Sequence, residues 1–169
     1  MTRAAVNESA VSSAAATVTA GWMVLALGDQ QLAIPQRDVR LIGLAADLKL
    51  SAAGEALEVG WLLQKSGNSW PVYCFNEALQ ILRPAPPDRH VCVFFEAGGE
   101  ILGILSDRVW SLAADTDMAV QSLPACMTGL PSPVVGVSYY QQKVVAVLGA
   151  TELAAYLNVL REHEHGADE

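Results

Sequence analysis

The sequence predicts a mainly β protein built as a pair of small, packed barrels. Three observations lead there. Short apolar runs recur along the chain and are separated by turns rich in Gly, Asp and Asn. The stretch 27–42, LGDQQLAIPQRDVRLI, returns seventy positions later as 97–112, AGGEILGILSDRVWSL. Gly28 then falls over Gly98, Leu32 over Leu102, Ile34 over Ile104, Val39 over Val109 and Ile42 over Leu112. The back halves match too. Val59-Gly60 resembles Val135-Gly136, and after a slip of one residue Val72, Glu77 and Leu82 fall over Val147, Glu152 and Leu157. An apolar pattern that returns with its turns points to two copies of one supersecondary unit.

In chain order, 22–27 is a compact apolar run, read as a buried strand. Gly28-Asp29 turns, and 32–34 alternates as the return strand before Pro35 breaks it. Residues 36–40 are polar and fit a helical turn or a bulge, followed by a strand near 41–44. The stretch 45–58 has no periodicity and reads as a loop with room for a short helix. Next come a strand at 59–64, a turn at 65–68 and a return strand at 70–75. Pro71 marks an edge or a strand start. Asn76 is placed to cap a short helix over 77–82. RPAPPDR, 83–89, is a stiff connector and the natural boundary, giving subdomain halves of about 21–82 and 90–160.

The second half repeats the order. Strands are expected at 91–95 and 101–105 around Gly98-Gly99, with 108–112 extending them. Residues 113–133 form a long connector with three prolines and one glycine. A hairpin follows, 134–140 and 144–148, turning through 141–143. Thr151 caps a last helix from 152 to about 161, whose Leu153, Tyr156, Leu157 and Leu160 fall at helical spacing. Residues 1–20 and 161–169 read as flexible tails.

Composition bounds the function. With 169 residues and 52% hydrophobic against 17% charged, the chain can bury a sizeable core. A net charge of −8 disfavours nucleic acid or an anionic membrane as partner, since both need clustered Lys and Arg. No apolar run approaches the ~20 residues a membrane helix needs, so no direct membrane insertion is expected. Nor is residues 1–20 a signal peptide, because a basic start and an unbroken apolar block are missing. Three cysteines, Cys74, Cys92 and Cys126, form no CxxC pair. They fit free thiols in a reducing cytoplasm better than disulfides or zinc.

Catalytic chemistry is hard to assemble. His90 begins a strand, while His163 and His165 lie in the expected tail. No P-loop, dinucleotide fingerprint or nucleophile elbow occurs. Gly98-Gly99 lacks the following helix of a phosphate cradle. Turn chemistry accounts for Asp29 and surface exposure for Asp107. No enzyme activity, cofactor or metal is expected. Trp61 and Trp110 are candidate surface anchors, whereas Trp22 and Trp70 fit the core. Arg40, between apolar Val39 and Leu41, fits either a solvated strand face or the polar part of a protein-binding groove.

Four stretches in order resemble the CheW family of chemotaxis adaptors: LGDQQLAIPQRDV (27–39), WPVYCFNEAL (70–79), GGEILGILSDRVWSL (98–112) and VVGVSYYQQKVVAVLGATELAAYL (134–157). Together they span roughly 22–160. The resemblance implies two SH3-like β-barrels on a common hydrophobic seam, with short helices including a C-terminal one. It implies a cytoplasmic, non-catalytic scaffold that binds the cytoplasmic tip of a methyl-accepting chemoreceptor and the regulatory domain of a CheA-type histidine kinase. A receptor helix would lie in the groove between the barrels. Val39, Arg40, Leu41, Ile42, Trp61 and Ser66 are the receptor-groove candidates, and Trp110 is a further surface candidate. Three positions depart from the family pattern. Gln64-Lys65-Ser66-Gly67 stands where Asn-Leu-Arg-Gly is usual, so Ser66 replaces an arginine. Cys74 replaces an aspartate, and Leu41 an acidic residue. These departures resemble an accessory, ChpC-like member serving the chemosensory system of type IV pili and twitching motility. The competing class is a small-ligand-binding β-barrel sensor, which needs a cavity with convergent polar groups.

Overall fold

Gly28 and Gly98 fix where the two leading hairpins turn. Both adopt positive φ, +60° and +61°, a region open to glycine without a Cβ clash. Around Gly28, β1 (Trp22–Leu27) pairs with β2 (Gln30–Pro35). Around Gly98, β7 (Val91–Ala97) pairs with β8 (Glu100–Ser106). The computed structural model describes residues 21–51, 56–112, 118–128 and 131–165. Its remaining strands are β3 (Val39–Leu44), β4 (Lys49–Leu50), β5 (Gly60–Leu63), β6 (Ser69–Cys74), β9 (Arg108–Leu112), β10 (Gln121–Ser122), β11 (Val134–Tyr140) and β12 (Lys143–Leu148). One α-helix, α1 (Ala150–His165), closes the described chain.

The strands form two six-stranded sheets, ordered β10-β11-β12-β2-β1-β9 and β4-β5-β6-β8-β7-β3. Replacing β1–β6 by β7–β12 turns one order into the other. The register agrees with the sequence repeat. Ala33 lies beside Val147 in the parallel β2–β12 ladder, and Gly103 beside Val72 in the parallel β8–β6 ladder. These pairs are related by the sequence offsets of 70 and 75. Gly60 and Gly136 also share a role. A Cβ on Gly60 would sit 2.9 Å from the Lys49 carbonyl oxygen, and one on Gly136 2.7 Å from that of Gln121. In each sheet a short strand thus passes too close for any larger residue.

The two copies have exchanged their leading hairpins. The β1–β2 hairpin joins strands of the second copy, and β7–β8 joins strands of the first. The expected halves, 21–82 and 90–160, therefore each contribute to both sheets. The connector 83–89 separates the sequence copies rather than the sheets. The second sheet must curl. Its edge strands β3 and β4 are joined by residues 45–48 alone, so Leu44 and Lys49 can be at most ~18 Å apart. Six flat strands would be about 24 Å across.

Three apolar clusters result. One fills the second sheet's barrel, around Val72, Cys74, Cys92, Phe94 and Leu105. Another fills the first sheet's, around Val24, Ala33, Val145 and Val147. The largest is the seam between the sheets, with Leu25, Leu32, Ile34, Tyr73, Val93, Phe95 and Ile104. Alternate residues of β1, β2, β6 and β7 point into a barrel and into the seam. That two-sided burial is why these strands read as continuous apolar runs.

Several expectations change. Residues 77–82 form a turn, not a helix. Asn76 Oδ1 does accept hydrogen bonds from the Ala78 and Gln80 amides, at 2.9 and 3.0 Å, but Leu79 turns to φ +59°. Pro84, Pro86 and Pro87 follow at once, and a helix cannot run into them. The second copy has no proline there, so α1 extends to His165. It also begins earlier than expected, placing Thr151 inside the helix rather than at its cap. The two loops read as irregular contain the short strands β4 and β10. Pro71 is the third residue of the central strand β6 and pairs with Trp61 of β5, but pairing with β8 begins only at Val72, so on that side it occupies an edge position. The tail expected at 1–20 lies outside the described residues.

Helix α1 straps the sheets together. Leu153 and Leu157 are buried in the seam. Tyr156 donates to the Leu79 carbonyl at 3.1 Å, and Arg83 pairs with Glu164 at 2.9 Å. Arg161 reaches Glu58 at 3.2 Å and also donates to the Tyr73 hydroxyl. Burial pushes the Tyr73 hydroxyl pKa up, and neighbouring Glu58 adds to the rise.

Candidate partner-binding cleft

Where the sheets meet, the seam opens into a cleft of about 700 Å³. Trp22, Arg37, Arg40, Glu96, Val135 and Glu152 are among its walls. Two β-bulges face it. β3 carries one at Arg40, between Val39 and Leu41, and β11 carries one at Val135, between Val134 and Gly136. Neither has a counterpart in the other copy, since β1–β9 and β5–β6 pair without a shift. A bulge leaves one residue out of the ladder and re-aims its side chain. Here two independent bulges aim at one cleft.

Arg40 is held in place. Its Nη2 donates to Glu96 Oε2 at 2.5 Å and its Nη1 to the Arg37 carbonyl at 3.0 Å. Both side chains of the Arg40–Glu96 pair are more than 40% exposed, so the pair orients Arg40 and adds little stability. Beyond the bulge, cross-strand pairing decides which face each residue takes. Ile42 lies opposite Val93 of the seam, while Leu41 lies opposite Phe94 of the barrel interior. Ile42 and Leu44 thus extend the seam face into solvent, with Ile42 48% exposed. Leu41 is also exposed but lies on the other face.

The candidates from sequence do not form one surface. Arg40 lines the cleft, and Val39 packs on the seam beneath it. Trp61 lines a separate hollow with Trp70, Pro71, Glu100 and Arg161. Ser66 is exposed in the turn between β5 and β6. Trp110 packs against the interior of the first sheet's barrel, opposite Val24. Sequence reasoning missed Glu96, Val135 and Glu152, which come together only through the hairpin exchange and the bulges. No local pattern marks them.

Arg89 was missed as well. It is 7% exposed and sits where the connector enters β7. Its guanidinium donates to Asp107 Oδ1 at 2.8 Å, to the Phe75 carbonyl at 3.2 Å and to that of Ala26 at 3.4 Å. The other oxygen of Asp107 accepts from the Gly28 amide at 2.6 Å. Asp107 is therefore a half-buried anchor rather than the exposed residue expected. Burial raises the thiol pKa of Cys74 and Cys92, whereas Cys126 is exposed. A thiol-reactive dye should accordingly titrate one of the three thiols in the native protein and all three in guanidinium. Rapid reaction of a second thiol without denaturant would contradict this placement.

Among the described residues, no group of three His, Cys, Asp or Glu could hold a metal ion. No described helix is long and apolar enough to cross a membrane. Among the described residues, apolar side chains pack into both barrel interiors. No protein-family model and no curated protein matches the sequence. Among solved structures, the chain is similar to the scaffolding protein TtCheW from Thermoanaerobacter tengcongensis. The TM-score is 0.61 and the identity 16%, over 78% of this chain and 90% of that one. The fold is CheW-like. Its two sheets are the two SH3-like subdomains of that architecture, packed together with one C-terminal helix.

Proposed function

We propose that the protein is a non-catalytic adaptor that couples chemoreceptors to a CheA-type histidine kinase. The observation that carries this reading is the inter-sheet cleft, with two unshared bulges aimed into it, on a fold similar to that of a scaffolding protein. Two bulges aimed into one cleft favour a binding role. The partners would be the cytoplasmic tip of a methyl-accepting chemoreceptor, as a helix against the cleft, and the kinase regulatory domain. The location would be cytoplasmic, at receptor arrays. Ser66 at the position of the usual arginine favours a divergent, ChpC-like accessory member of a type IV pilus system over a general adaptor.

Binding of the purified protein to a purified receptor cytoplasmic fragment and to a CheA-type kinase tests this. At least one should be captured under conditions where an ordinary CheW captures both. Capture of neither would overturn the adaptor reading. Ile42→Asp places a charge on the exposed extension of the seam face, where the fold tolerates it. Receptor-fragment affinity should fall about 30-fold, with the far-UV circular dichroism unchanged. Unaltered affinity would remove Ile42 from the contact surface.

A further inference from the structure

β3 is the longer of the second sheet's two edge strands, and little blunts it. It pairs with β7 on one side and meets no strand on the other, since β4 pairs with β5 alone. Its Leu41, Ile42 and Leu44 are exposed. The repeated unit does not require this. In the sequence repeat Ile42 falls over Leu112 of β9, which is only 6% exposed, and Leu41 falls over the polar Ser111. Edge strands are commonly guarded by a charge, a proline or a bulge. Here the bulge at Arg40 guards only the start, and 41–46, LIGLAA, carries no charge.

The ladder shows which backbone groups lie open. The Ala45 amide donates to the His90 carbonyl at 2.9 Å, continuing the register that sets Leu44 opposite Val91. Antiparallel pairs alternate between bonded and open ones. Ala45–His90 and Gly43–Cys92 are therefore bonded pairs, and Leu44–Val91 and Ile42–Val93 are open ones. The amides and carbonyls of Ile42 and Leu44 point away from β7, where no strand meets them among the described residues.

We infer that a second copy of this chain pairs antiparallel with β3 along this edge, with Gly43 at the two-fold axis. In that register Ile42 of one copy faces Leu44 of the other. Both are bonded pairs, so every open group of the two residues finds a partner. Centring on Ile42 would set Leu44 against the bulged Arg40, and centring on Leu44 would set Ile42 against Ala46 in the 3-10 turn at 45–47. Gly43 brings no side chain to the axis. Ile42 and Leu44 of both copies then form one apolar strip on a common face. The uncharged stretch lets two chains of net charge −8 approach, and each end brings Arg40 of one copy toward Asp47 of the other. So short an interface gives a weak dimer, half formed near ~100 µM. The pairing goes beyond the adaptor reading and does not depend on it.

Amide hydrogen exchange of the full-length protein at ~10 µM and ~1 mM, beside sedimentation, tests this. At the higher concentration the Ile42 and Leu44 amides should exchange about fourfold more slowly, in step with dimer formation. The Gly43 and Ala45 amides, bonded to β7, should be protected equally at both. Ile42→Pro removes an outward amide that β7 does not use, and an edge strand accepts proline there. Leu44→Lys puts a charge at the pairing edge. Each variant should weaken the dimer at least about tenfold, with near-UV circular dichroism unchanged. A protein that stays monomeric at the higher concentration would overturn the inference, as would variants that dimerise like the wild type. So would Ile42 and Leu44 exchange that ignores concentration, the result expected if the copies meet elsewhere or another part of the same chain covers β3. Neither receptor nor kinase is present, so receptor capture can fail while this pairing succeeds, and the reverse.

Discussion

An Asp107→Ala variant is expected to lose about 3 kcal/mol of unfolding free energy, the largest single-residue effect outside the apolar clusters. Arg89 is buried where five segments converge. These are the end of β1, the Gly28 turn, the residue after β6, the connector and the corner between β8 and β9. Removing the carboxylate leaves a buried guanidinium with two backbone carbonyls and leaves the Gly28 amide without its acceptor. The stranded guanidinium is a desolvation cost that water cannot repair at this depth, whereas the exposed Gly28 amide can turn to water and adds little. Urea denaturation should show the shift in midpoint with an unchanged slope. Replacing both partners, as Arg89→Met with Asp107→Leu, should cost less than Asp107→Ala alone, because no charge is then stranded. A loss below about 1 kcal/mol for Asp107→Ala would place this pair with exposed ion pairs such as Arg40–Glu96.

Arg89 also shows what a sequence conveys and what it withholds. Leu32 and Ile34 announce a strand through alternation, and Gly28 announces its turn through a conformation that only glycine takes easily. Both signals are local, and both copies carry them. The repeat was legible for the same reason, down to the register of Val72 and Val147. Arg89 looked like an ordinary charge in a polar connector. Nothing nearby in the sequence shows that Phe75 and Asp107 would close over it. The turn at 77–82 was misread because Asn76 gives a true capping signal, which the prolines after Arg83 override. The bulge at Arg40 was one of two readings left open. Its consequence, that Leu41 and Ile42 take opposite faces, depends on pairing with β7, and no local pattern specifies that partner.

The hairpin exchange is the feature that local signals conceal most, and it has the largest expected effect. Cut between Pro86 and Pro87, the chain should give two pieces that do not fold as monomers but form one folded complex when mixed. Alone, the first piece presents β3 without β7 and β6 without β8. Its β1–β2 hairpin lacks both flanking strands, β9 and β12. Its share of the seam, with Leu25, Leu32 and Tyr73, would face water without Phe95, Ile104, Leu153 and Leu157. The second piece lacks the complementary set. Each piece therefore exposes sheet edges and an apolar face at once, which a monomer cannot sustain. Mixed in equal amounts, they regain every ladder and differ from the intact chain by one peptide bond in an exposed connector. Near-UV circular dichroism and sedimentation should show the intact protein's signature at one copy of each. If the halves were independent barrels, as the connector's composition suggests when read alone, each piece would unfold cooperatively as a monomer. Either piece doing so would refute the exchange.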